Sequence, residues 1–150
     1  PLSSSQRQTL LDLVGAKGEV RFDEPMGRHS TLRVGGPVDA WVAPDSIERL
    51  AAIRCFCTDS GLPCRALGSG SNLLVLDGGV RGVLLATERL RGLQFLTPQG
   101  DDPRTPVVVE AGVSTGKLLS EATRRSLGGV EFLGGVPGSI GGGMIMNAGT

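Results

Sequence analysis

The stretch Gly68-Ser69-Gly70-Ser71-Asn72-Leu73 collects the residue types that hold a phosphate. Glycine at 68 and 70 lets the backbone come close to a ligand, while Ser69, Ser71 and Asn72 add hydroxyl and amide donors beside bare backbone N–H groups. Such a set suits a phosphate or pyrophosphate. It also describes a serine-rich turn between two strands, Cys64-Arg65-Ala66-Leu67 before it and Leu73-Leu74-Val75-Leu76 after it. A second glycine-rich run, Gly134 to Gly149, is interleaved with Val136, Pro137, Ser139, Ile140, Met144, Ile145, Met146 and Asn147. Its valine, isoleucines and methionines call for burial, so it reads as a second loop hugging a ligand and not as a solvated linker.

Neither run carries a familiar nucleotide fingerprint. At Gly68 the third glycine of a Rossmann motif is replaced by Leu73, and an apolar strand follows where a helix is required. Gly112-Val113-Ser114-Thr115-Gly116-Lys117-Leu118 has three residues between its glycines where an ATP or GTP loop needs four, and Leu118 stands where a magnesium-binding hydroxyl belongs. Glycine-rich loops at strand ends without either fingerprint point to a different dinucleotide architecture.

Composition narrows the partners. Lys plus Arg and Asp plus Glu number 15 each, so net charge gives no pull toward a polyanion. Phe22, Trp41, Phe56, Phe95 and Phe132 are the whole aromatic complement, too few to stack a single-stranded nucleic acid. Cys55, Cys57 and Cys64 have no disulfide spacing, and on a helix the Cys55 and Cys57 thiols point opposite ways. With His29 the single histidine, no tetrahedral metal site can be completed. The expectation is a reduced, cytoplasmic setting with no metal, no bilayer span and no leading signal segment.

The elements that must position these loops follow from periodicity and caps. Ser4 to Val14 predicts a short amphipathic helix ended by Gly15, and Val20 to Thr31 is mixed and broken by Pro25 and Gly27. Gly35-Gly36 is a turn or bulge leading to a strand at Val38–Ala43. Asp45 or Ser46 caps a helix running to about Ser60, with Gly61 as its stop. Strand, helix and the strand at Cys64 make a β-α-β unit. Asp77-Gly78-Gly79 has hairpin chemistry before a strand at Gly82–Thr87, and Leu90 to Leu96 alternates weakly. The polar loop from Thr97 to Pro106 is the expected boundary between subdomains. Beyond it come a strand at Val107–Ala111 and a helix capped by Ser114 or Thr115, bearing Leu118, Leu119, Ala122 and Leu127 and closed by Gly128-Gly129.

Taken together, Thr31-Leu32-Arg33-Val34-Gly35-Gly36-Pro37, Leu67-Gly68-Ser69-Gly70-Ser71-Asn72-Leu73-Leu74, Gly135-Val136-Pro137-Gly138-Ser139-Ile140-Gly141-Gly142 and Met146-Asn147-Ala148-Gly149 resemble the UDP-N-acetylenolpyruvoylglucosamine reductase family in order and spacing. The resemblance implies an α+β fold, the FAD-binding domain of the vanillyl-alcohol-oxidase type, with two small subdomains clasping the cofactor. Residues 1–27 would be a helix and lead-in, 28–97 the first FAD-binding subdomain, and 98–150 the start of the second. It further implies that Gly68, Ser69, Gly70, Ser71, Asn72 and Leu73 bind the pyrophosphate. Val136, Pro137, Gly138, Ser139, Gly142, Asn147 and Gly149 would line the other side of the cofactor, with Gly112 a further member. Thr31 and Gly36 would shape the first subdomain, and His29 would serve structure. NADPH would reduce the flavin, which would pass hydride to a UDP-sugar enolpyruvyl ether. The family's substrate arginine, proton-donating serine and glutamate would lie after the Asn147-Ala148-Gly149 segment. Another flavin oxidoreductase on the same scaffold, or a non-catalytic FAD or nucleotide module, are the alternatives.

Overall fold

The computed structural model describes residues 1–98, 100 and 103–148. The chain divides into two compact units, Pro1–Leu90 and Arg91–Thr150.

In the first unit, four strands, β1 (Glu19–Pro25), β2 (Pro37–Ala43), β3 (Cys64–Leu67) and β4 (Val80–Ala86), form one sheet in the order β1-β2-β4-β3. β1 runs antiparallel to β2, while β4 is parallel to both of its neighbours. Strands at the centre are covered on both faces, which is why β2 and β4 are apolar almost without interruption. On one face Ala40, Val42, Val83 and Leu85 pack with Leu10, Ile53 and Cys57 from the helices α1 (Ser4–Leu13) and α2 (Ile47–Asp59). On the other face Val38, Trp41, Leu84 and Ala86 pack with Met26, Leu67 and Val75. Both helices start on serine caps, Ser3 accepting from the Gln6 N–H and Ser46 from the Arg49 N–H. α2 ends where Gly61 turns left-handed at φ +63° and the Leu62 N–H reaches back to the Cys57 carbonyl at 2.8 Å.

Three expectations change here. The predicted β-α-β unit exists as β2-α2-β3, but β4 lies between its strands in the sheet. The broken segment before Pro25 is an edge strand, held by its antiparallel partner, with Pro25 at the end of the register. Leu73–Leu76 is not a strand. Its backbone is used by the Gly35-Gly36 loop, where the Gly36 N–H bonds the Leu76 carbonyl at 3.0 Å; Val75 is buried while Leu76 is 76% exposed. A Cβ on Gly36 would fall 1.9 Å from the Asp77 carbonyl oxygen, so that glycine serves backbone packing. Asp77-Gly78-Gly79 is accordingly a turn into β4, not a hairpin.

In the second unit, β5 (Leu93–Phe95) pairs antiparallel with β6 (Val107–Val109). The unit therefore begins at Arg91, upstream of the expected 97/98 division, because the chain on both sides of the polar loop belongs to one hairpin. Helix α3 (Thr115–Arg124) is capped by Ser114 and ends before Leu127. Ser126, at φ +55°, takes the left-handed position, and the Leu127 N–H bonds the Ala122 carbonyl. The glycine-rich run is not a loop throughout: it contains a short helix, α4 (Ile140–Met146), started by Ser139. The expected burial of its apolar residues does not hold, since Met144, Ile145 and Met146 are exposed, Ile145 by 86%.

Candidate functional site

The chain leaves β3 at Leu67 and enters the Gly68–Asn72 loop. Gly70 turns left-handed at φ +70°, and a Cβ there would sit 1.9 Å from the His29 carbonyl oxygen. Only glycine fits that approach. The Gly70 carbonyl accepts the Thr31 N–H at 3.1 Å, which fastens the 28–33 segment along the loop. Ser69 and Ser71 share a side-chain hydrogen bond at 3.4 Å. Among the described residues, no acceptor meets the backbone N–H groups of Ser69, Gly70, Ser71 and Asn72. A row of main-chain donors without protein acceptors on a turn is able to meet an anion. Leu73 follows, half-buried, and packs against the cluster that holds Trp41.

A cleft of about 360 Å³ opens beside this loop, lined by Gly68 and Ser69 on one side and by Arg28, His29 and Arg33 on the other. Behind its wall Glu24 is buried and takes hydrogen bonds from Arg21 at 3.2 Å and His29 at 2.9 Å, with Arg28 at 3.5 Å. Burial pushes the Glu24 carboxyl up, but the hydrogen bonds from His29 and Arg21 and the charges of Arg21 and Arg28 outweigh it and hold the group below the ordinary carboxylate range. An ionised carboxylate only accepts, so His29 Nε2 carries the hydrogen. The imidazole stacks on Trp41 with centroids 4.7 Å apart. Trp41 lines the cleft, is 1% exposed, and its buried Nε1–H has no acceptor among the described residues.

The second run is built differently. Gly112 lies in the turn after β6, and the carbonyls that flank it, Ala111 and Val113, accept the N–H groups of Gly141 at 2.9 Å and Ile140 at 2.8 Å. The predicted residues Gly112, Ser139 and Gly142 are thus brought together. Ser139 is buried and caps α4 through the Gly142 N–H at 3.3 Å. The Val136 carbonyl accepts the Thr115 hydroxyl at 2.6 Å, and Gly138 is left-handed at φ +124° next to the exposed Pro137. Asn147 closes α4 at φ +48°; Gly149 lies outside the described residues.

Residues 38–150 match the family model described as "FAD binding domain". The chain belongs to that family. It is 43% identical over 89% of its length to the UDP-N-acetylenolpyruvoylglucosamine reductase of Geobacter sulfurreducens, and spans 43% of that protein. A crystal structure of UDP-N-acetylenolpyruvylglucosamine reductase (MurB) from Thermus caldophilus superposes with a TM-score of 0.61 at 33% identity, over 89% of this chain and 43% of that one. A solvent-stable cholesterol oxidase shares the fold at 20% identity, with a TM-score of 0.58 over 77% of this chain and 22% of that one. The fold is the α+β one of vanillyl-alcohol-oxidase-type FAD-binding domains. The chain spans under half the length of the curated relatives it matches.

For an FAD binding domain, the row of free N–H groups at Ser69–Asn72 is the feature that fits a diphosphate, since those donors otherwise face no protein acceptor. Reading residue types alone missed Arg28, Glu24 and Trp41 and gave Arg33 no role. The available signal was the spacing Glu24, Arg28, His29, Arg33, a charged group every few residues just before the Gly35-Gly36 turn. Among the described residues no group of acidic, histidine and cysteine side chains could hold a metal, and no helix is long and apolar enough to cross a membrane.

Proposed function

We propose that this chain is the FAD-binding portion of an NADPH-dependent flavoenzyme that reduces UDP-N-acetylglucosamine-enolpyruvate to UDP-N-acetylmuramate, in the cytoplasm, for peptidoglycan synthesis. The observation that carries the reading is the unpaired N–H row of Ser69, Gly70, Ser71 and Asn72 beside a cleft, in a chain similar to named reductases. A diphosphate brings the acceptor oxygens those donors lack. Gly68 and Gly70 let the backbone close on it, and Ser69, Ser71, Asn72 and the Leu73 end of the loop position it. Gly112, Val136, Pro137, Gly138, Ser139, Gly142, Asn147 and Gly149 are assigned to the cofactor's other side.

Bound FAD supplies hydride transfer from NADPH to the enolpyruvyl double bond. The work of this chain is to grip the nucleotide end so that the reactive ring is presented in one orientation, which lowers the entropy cost of the encounter. In this assignment the two units, Pro1–Leu90 and Arg91–Thr150, contribute one cofactor-binding subdomain each. Titrating the purified chain with FAD, and following flavin and Trp41 fluorescence, tests the binding part. Saturable binding is expected, weaker for this chain alone than for the whole enzyme, and none at millimolar FAD in either overturns it. In the whole enzyme, NADPH consumption that requires the UDP-sugar enolpyruvyl ether is expected. Oxidation of small alcohols without NADPH would instead favour another flavin oxidoreductase on this scaffold.

A further inference from the structure

We propose that Arg33, seconded by Arg28, is the counter-charge for the diphosphate held on the Ser69–Asn72 N–H row. This rests on the pyrophosphate reading of that loop and adds the residues that neutralise its ligand. The need is physical: the segment Gly68–Leu76 contains no lysine or arginine, so its donors are neutral while a diphosphate is doubly charged. The cation must come from elsewhere in the fold.

The 28–33 segment is where the structure supplies it. Thr31 N–H to Gly70 carbonyl, and the approach of Gly70 to the His29 carbonyl, leave no freedom between that segment and the loop. Arg28, His29, Arg33 and Ser69 face one cleft of about 360 Å³, with Glu88 the acidic member of its lining. Arg33 is held at φ +55°, a left-handed conformation uncommon for a non-glycine residue. Its guanidinium makes no hydrogen bond or ion pair among the described residues, whereas Arg21 and Arg28 are engaged by Glu24.

The test uses the 150-residue chain, its single tryptophan and FAD as the probe. Arg33→Gly removes the charge yet suits φ +55°, so the ligand-free melting temperature stays the same or rises. FAD affinity falls about tenfold, the loss of one charge-assisted contact, and loses part of its salt dependence. Arg33→Lys recovers part of the affinity, with Trp41 still reporting. An Arg33→Gly affinity within about twofold of the unsubstituted chain overturns the proposal and leaves the FAD reading standing. A loss of affinity matched by a lowered ligand-free melting temperature also overturns it, because Arg33 is then structural. Failure of FAD to bind either the unsubstituted chain or the whole enzyme removes both.

Discussion

The two glycine-rich runs differ in how much of their own backbone the chain satisfies. At Ser69–Asn72 the backbone N–H groups are left without protein acceptors, and Gly70 is there because the His29 carbonyl leaves no room for a Cβ. Between Gly134 and Gly143 the N–H groups of Gly134, Val136, Ile140, Gly141, Gly142 and Gly143 are consumed internally, by a 3-10 turn, by the strand-end carbonyls of Ala111 and Val113, and by Ser139, while those of Gly135, Gly138 and Ser139 meet no acceptor among the described residues. Glycine in the first run frees donors for something outside the chain. In the second it lets backbone segments fasten to each other. Counting free donors, and not counting glycines, separates a grip from a clasp.

The largest expected effect that could break this contrast is Gly70→Ala. The new Cβ meets backbone 1.9 Å away at a left-handed φ, so a loss of about 3 kcal/mol in a denaturant titration is expected together with loss of FAD binding. A Gly70→Ala chain that binds FAD normally would show that the loop is not the grip. Gly141→Ala comes next. Its Cβ would lie 2.6 Å from the Ala111 Cβ, and about 2 kcal/mol of stability should be lost while FAD affinity, measured at a temperature where the chain stays folded, changes little. A large affinity loss at unchanged stability would mean that Gly141, beside the assigned Gly138, Ser139 and Gly142, itself meets the cofactor.

Glu24→Gln probes the wall behind the first run, with about 1.5 kcal/mol lost at neutral pH. Because the folded Glu24 carboxyl sits below its ordinary value of 4.5, its contribution is complete above that value and fades as the pH falls through the lower folded value. The stability gap between the two proteins should therefore close in acid. A gap that does not narrow at all as the pH is lowered below 4.5 would mean shape and not charge is what Glu24 provides. Smallest is Ser139→Ala, which removes the cap on the Gly142 N–H and should cost about 1 kcal/mol in the same titration. If it also exposes α4 to faster hydrogen exchange without touching the first unit, the clasp reading of the second run is sharpened.

Local chemistry accounts for what was legible in advance. The β2 and β4 strands, the three longer helices and the serine caps follow from periodicity and neighbouring side chains, and Gly61 did end its helix as expected. The phosphate-type loop was visible because its donors are contiguous in sequence. β1 and β5 were not, since each is an edge strand stabilised by its partner's hydrogen bonds more than by its own residues. Leu73–Leu76 looked like a strand and is not one, because the Gly35-Gly36 loop takes its backbone and β4 takes the place beside β3.

The amino-acid order by itself set the helix caps, the buried central strands and the run of small donors, all of which depend on residues a few positions apart. Folding decided which donors stay free and which charges stand beside them: Glu24, Arg28, His29 and Arg33 reach the Gly70 loop some forty residues later only through the Thr31–Gly70 contact. Hydrogen bonds between distant backbone segments are settled by competition for partners across the whole sheet, and no local pattern in the chain records the winner.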